Sequence, residues 1–169
     1  MATFNFSMPP RQQKVYKPKY FTYFMGGGIK SVNGIIVSGL GEGAYFMSMP
    51  HYKNEIKKKL GFDSYAGTLN IKIAKDCRVL LKNVAQVKIS GYKSNGKIFG
   101  GASCYKSKIN KINGAIIVPD INKHNKKIIE FIAAVHIKSA LKLKDGDKIK
   151  IIIQNFLIPK ELKNFPTTK

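Results

Sequence analysis

The chain has 169 residues, its Lys and Arg outnumber its Asp and Glu by 30 to 9, and its formal net charge is +21. That length suits one ordinary domain that buries a core without disulfide or metal staples, and Cys77 and Cys104 show neither a metal-ligand spacing nor a disulfide framework, which fits a reducing cytoplasm. No apolar stretch is long enough to span a bilayer, and the first residues, broken by Pro9, Pro10, Arg11, Lys14 and Lys17, lack a signal-peptide apolar centre, so a soluble protein with no membrane partner is expected.

The charge raises the question of nucleic acid. Of the 30 basic residues 28 are lysine, spread along the whole chain, whereas direct base readout relies on the planar fork of arginine. A solvated lysine coat is therefore the plainer reading, and it attracts a polyanionic small ligand as readily as it attracts a nucleic acid.

In chain order, residues 1–30 mix proline, lysine and aromatic residues and end near Gly26, Gly27 and Gly28. They read as a basic, aromatic extension joined by a hinge, either packed along the domain or partly disordered. The domain itself is expected over 31–155, with a tail over 156–169. Short β-branched runs predict strands at 34–38, 45–49, 68–73, 84–90, 97–104, 114–118, 128–133 and 148–153. Turn signals stand at Ser94-Asn95-Gly96, Asn113-Gly114 and Asp145-Gly146-Asp147. A helix is predicted over 51–60, with Pro50 at its start, Tyr52, Ile56 and Leu60 on one face and Gly61 as its stop, and a shorter one over 136–141. Many short strands with few helices predict a mainly β fold, a closed barrel rather than a sheet with crossover helices.

The familiar phosphate loop, protein-kinase, zinc-protease and Ser or Cys nucleophile motifs are absent from the sequence, and the three histidines lie far apart. Two segments separated by the first predicted helix carry the chemistry instead. One is the glycine-rich turn in "VSGLGEGAYF", residues 37–46. The other, "LGFDSYAGTLN", ends in a strand whose alternation puts Thr68 and Asn70 on one face. A hydroxyl and an amide carbonyl two residues apart are neutral hard oxygens able to hold Mg²⁺ weakly when a nucleotide's phosphates provide the remaining charge.

In this order and spacing, "GIIVSGLGEGAYFMSMPHY", "LGFDSYAGTLNIKI", "NGKIFGG", "INGAIIVPD", "IIEFIAA" and "LKLKDGDKIKI" resemble the archaeal CTP-dependent riboflavin kinases over roughly residues 32–153. The resemblance implies a six-stranded cradle-loop β-barrel with one or two short helices. It also implies transfer of the γ-phosphoryl of CTP to the 5′-hydroxyl of riboflavin, giving FMN and CDP, in a cytoplasmic enzyme expected to be a monomer. Residue by residue it assigns Gly39, Leu40, Gly41, Glu42, Gly43, Ala44 and Tyr45 to the nucleotide, together with Val135, His136, Ile137 and Lys138. It assigns Thr68 and Asn70 to Mg²⁺, and Asn122 and Glu130 to the flavin. This chain departs from the family pattern at Ala134 and Lys138, where Pro and Arg are usual, and at Asn122, where threonine is usual. No residue stands out as general base; Glu42, Asp120 and Glu130 are candidates, and Glu42 is expected to orient the metal's hydration shell. Two other readings stay open here: a β-barrel nucleic-acid-binding protein, and a catalytically inactive homologue that binds flavin or nucleotide.

Overall fold

The computed structural model describes residues 30–39, 41–121 and 125–154. The expectations for the extension and the tail, and those for Leu40 and Asn122, lie outside the described residues. In chain order the elements are β1 (Lys30–Val37), α1 (Glu42–Ser48), α2 (Pro50–Leu60), β2 (Leu69–Ile73), α3 (Cys77–Leu81), β3 (Val87–Ile89), β4 (Tyr92–Ser94), β5 (Lys97–Phe99), β6 (Ala102–Ile109), β7 (Ile112–Pro119), β8 (Ile128–Ala133), α4 (Ile137–Leu141) and β9 (Lys148–Ile153).

Six strands run antiparallel in the order β6-β7-β8-β2-β1-β9, and β9 returns to β6 through Ser107↔Ile153, Lys108↔Ile152 and Ile109↔Ile151, closing the barrel. β3 adds to the other end of the same β6 edge, opposite residues 102–104. Alternation fills the interior with Ile36, Leu69, Ile71, Ile73, Ile116, Ile129, Phe131, Ile149, Ile151 and Ile153, and Cys77 and Leu81 of α3 pack into that core. A second apolar cluster lies on the outer wall. There Met47 of α1 and Tyr52 and Ile56 of α2 cover Cys104, Ala115, Ile117 and Ile132. Outward-facing apolar side chains on β6, β7 and β8 thus have a roof.

The mainly β barrel agrees with the sequence reading, and three local expectations are corrected. Residues 45–48 belong to α1 and Met49 caps its end, so 45–49 is not a strand. Tyr45 and Phe46 favour strands in isolation, but here only Met47 is buried while Tyr45 is 60% exposed, so one stripe packs as on a helix. The run 97–104 is broken at Gly100 and Gly101, since β5 pairs only with β4 whereas β6 joins the barrel. Finally, Asn113-Gly114 is not a turn but part of β7. The reversal falls at Asn110, whose φ is 52°. Gly114 is there for packing, because a Cβ on it would overlap Ile132 O of the neighbouring strand and lie 2.7 Å from Phe131 Cε1 and Cζ. The segment α3, whose Asp76 cap accepts Arg78 N–H at 2.8 Å, and the strand β4 escaped the sequence reading.

Gly114→Ala is accordingly expected to cost about 1–3 kcal/mol by overpacking against Ile132 O and the Phe131 ring, as measured by urea unfolding. Without that close approach the substitution would leave stability nearly unchanged, since Gly114 carries no left-handed φ.

Candidate functional site

β1 ends at Val37, and Ser38 and Gly39 lead into the glycine turn, in which Gly41 takes φ 83° and caps α1. Thr68 and Asn70 flank Leu69, which is buried, so both face the outer side of the barrel wall. The two segments meet. A Cβ on Gly39 would overlap the Asn70 side-chain amide, and one on Gly43 would overlap the Thr68 hydroxyl. The glycines are therefore required by close approach of the loop to these two polar side chains, not by a hairpin.

In the sheet register Asn70 stands between Val37 of β1 and Glu130 of β8, and Glu130 in turn faces Ile117 of β7. Directly paired residues share a face, so Glu130 lies beside Asn70 on the outer wall, at the margin of the roof formed by α1 and α2. Glu42 is exposed at the first position of α1. Asp120, by contrast, accepts Lys88 Nζ at 3.1 Å, and its backbone N–H bonds to Gly101 O.

The second segment connects β8 to α4. Val135 is 43% exposed, Ile137 is buried in the barrel core, and His136 caps α4 with Nδ1 2.6 Å from Ser139 Oγ. The His136 ring lies 5.0 Å from that of Tyr65, whose N–H donates to Ala133 O at 2.8 Å. Lys138 Nζ donates to Asp145 Oδ1 at 2.5 Å, and Ser38 Oγ donates to Asp145 Oδ2 at 2.5 Å. The Lys138 hydrogen bond first, then that of Ser38, holds the Asp145 carboxyl below the usual carboxylate range. Asp145 thus links the glycine turn to the segment that follows β8. From sequence alone, Asp145 belongs only to the Asp145-Gly146-Asp147 turn.

The roof is anchored by polar contacts. His51 Nε2 lies 2.8 Å from Ser90 O, the Tyr52 hydroxyl donates to Gly100 O at 2.5 Å, and Ser90 N–H and Lys59 Nζ both donate to Glu55 Oε2, at 3.0 and 2.5 Å. Neither cysteine offers a nucleophile. Burial alone pushes the Cys104 thiol up to about 12 and is the main cause that raises Cys77.

The model of a family named for CTP-dependent riboflavin kinase, and described as a domain of unknown function (DUF120), matches residues 36–153. The chain belongs to this family. The CTP-dependent riboflavin kinase match takes in the glycine turn, Thr68, Asn70, Glu130 and the 135–138 segment. Among its relatives, a riboflavin kinase of Methanocella arvoryzae is 36% identical over 135 residues, covering 80% of this chain and 62% of that protein. One of Saccharolobus solfataricus is 40% identical, covering 71% of each chain. One of Pyrococcus furiosus is 43% identical, covering 70% of this chain and 56% of that protein. Against most of these curated riboflavin kinases the chain spans between about half and two thirds of their length. Among the described residues no helix is long and apolar enough to cross a membrane.

The Glu55 anchor has a pH signature. Its carboxyl is lowered from 4.5 to about 2, chiefly by the Lys59 hydrogen bond and then by the Ser90 N–H. The folded state favours the ionised form, so this contribution is complete above about pH 4.5 and is lost as pH falls towards 2. Glu55→Gln is expected to flatten the decline of the urea midpoint across that window, by up to one proton in the linkage slope. An identical acid limb in the variant would show that Glu55 does not anchor the roof.

Proposed function

We propose that this chain is a CTP-dependent riboflavin kinase, acting with Mg²⁺ in the cytoplasm as a monomer. In the reaction the bond between the γ-phosphorus of CTP and its β,γ-bridging oxygen breaks. A bond from the same phosphorus to the riboflavin 5′-oxygen forms, the hydroxyl proton leaves, and FMN and CDP are released. The observation that carries the reading is the close approach of Gly39 and Gly43 to Asn70 and Thr68, with Glu130 beside Asn70, inside a chain of this family.

The residues suit that work. Without side chains at positions 39, 41 and 43, the main chain can come up against phosphate oxygens, and its N–H groups are the donors phosphates need. Among the described residues no group of three or more His, Cys, Asp and Glu could hold a metal ion, so a carboxylate cage is not on offer. The Thr68 hydroxyl and the Asn70 carbonyl fit Mg²⁺, which commonly keeps several waters and takes much of its coordination from substrate phosphates. Bound with CTP there, Mg²⁺ would neutralise charge on the transferring phosphoryl group. Phosphoryl transfer asks mainly for alignment and charge neutralisation, which this arrangement supplies without a catalytic lysine. Glu130, one strand over from Asn70, accepts hydrogen bonds from riboflavin and so brings the acceptor to the phosphoryl side of the site. The 135–138 segment reads the base, since cytosine offers an amino donor beside acceptors that exposed backbone groups can match. Glu42, at the mouth of the turn, orients the metal's hydration shell.

The test is FMN formation from riboflavin by the purified protein with Mg²⁺ and, in parallel, CTP, UTP, ATP or GTP. CTP-selective conversion is expected; no FMN with any nucleotide from folded protein would overturn the reading. Thr68→Val and Asn70→Leu should each lower turnover at least about tenfold while leaving the fold intact by circular dichroism, a loss typical when metal-site partners are removed. Glu42→Gln should slow turnover as well, and an unchanged rate would remove Glu42 from the site.

A further inference from the structure

Asp145 stands outside every segment that the family resemblance assigns to a ligand, yet one of those segments and the residue that leads into another converge on it. Its two carboxylate oxygens are divided between them: Oδ2 accepts from Ser38, the residue before Gly39, and Oδ1 accepts from Lys138, both at 2.5 Å. One carboxylate can serve both partners only while the end of β1 and the first turn of α4 keep a fixed spacing. The backbone on either side enforces that spacing, since Gly146 N–H donates to Ile36 O and Ile36 N–H donates to Asp147 O, each at 2.9 Å. Leu143 N–H reaches back to Lys138 O at 2.8 Å, with Lys142 in the left-handed region at φ 53°, and this folds the chain after α4 towards β1.

Lys138 and Asp145 keep 31% and 44% of their side-chain surface exposed, and a pair so open to water adds little to global stability. Its effect is geometric. Resting on the functional reading above, we propose that Asp145 is a positioning residue for the nucleotide, clamping the glycine turn to the 135–138 segment so that the phosphate and base ends of CTP meet a preformed surface. Lys138 is then a strut whose ammonium is engaged by Asp145 rather than directed at phosphate. Without the clamp the turn and the segment move independently, only a fraction of molecules present both at once, and apparent affinity falls by that fraction.

Asp145→Asn keeps the size of the side chain and removes its charge. The expected result is a rise of about tenfold in KM for CTP, with kcat within about twofold and KM for riboflavin unchanged. In the ligand-free protein, amide hydrogen exchange over residues 39–48 should quicken while the melting temperature stays close to that of the wild type. Ser38→Ala should reproduce part of the effect, Ser38→Thr should restore it by keeping the hydroxyl, and Ser38→Ala added to Asp145→Asn should cost nothing further. If Asp145→Asn does not fold, Ser38→Ala against Ser38→Thr decides the same point. Unchanged exchange over 39–48, or equal rises in KM for both substrates, would overturn the clamp. Exchange needs no turnover, so it decides the clamp even if the wild type makes no FMN, an outcome that counts against the functional reading alone.

Discussion

Everything in this protein hangs on the closure of one sheet. The short pairing of β6 with β9 converts six antiparallel strands into a wall without free edges at that seam, and it turns a row of isoleucines into an interior that no solvent reaches. β6 manages this by serving two neighbours on one edge, β9 towards its end and β3 towards its start. The part of the wall left apolar on its outer side is then covered by α1 and α2. The roof follows from the wall's composition: exposed, the outward faces of Ile117 and Ile132 would form an apolar patch.

The candidate site is what lies at the margin of that roof. Three adjacent strands, β8, β2 and β1, contribute to it, and their register alone puts Glu130, Asn70 and Val37 in one line across the wall. The turn after β1 is pressed so closely onto β2 that side chains are excluded at two of its positions. Packing density therefore shapes this corner before any ligand arrives, and it does so with backbone, which costs nothing in side-chain entropy to hold still.

Much of this was legible from the sequence where local chemistry and tertiary demand agree. β8 and β9 are β-branched runs that each begin just after polar residues, and their predicted limits coincide with those observed. The face shared by Thr68 and Asn70 followed from strand alternation. Where the two levels disagree, local signals mislead. Tyr45 and Phe46 favour a strand by propensity, but the wall beneath them needs the covering stripe that Met47 provides, so the segment coils. Asn-Gly at 113–114 has the chemistry of a tight turn, but the glycine answers to the main chain at Ile132 and the ring of Phe131. Asp145 is the hardest case. Within an Asp-Gly-Asp turn its carboxyl has an obvious local use, and nothing nearby in sequence announces a hydroxyl 107 positions away. The contact between the glycine turn and β2 was likewise beyond reach, because it exists only once the barrel has closed.

The hairpin of β4 and β5 stands apart, pairing with itself and turning at Asn95 and Gly96, both with positive φ. Its tip falls between the two halves of the site in the chain: the glycine turn, Thr68 and Asn70 come before it, and Glu130, the 135–138 segment and Asp145 come after. An exposed polar tip of this kind is where a chain tolerates interruption. A cut there would leave two fragments, one holding the barrel strands β1 and β2 and the other β6, β7, β8 and β9, with the polar groups divided between them. β6 and β7 would have to meet β2 and β1 again through β8 and β9, so that any recovered site would report reassembly of the barrel itself.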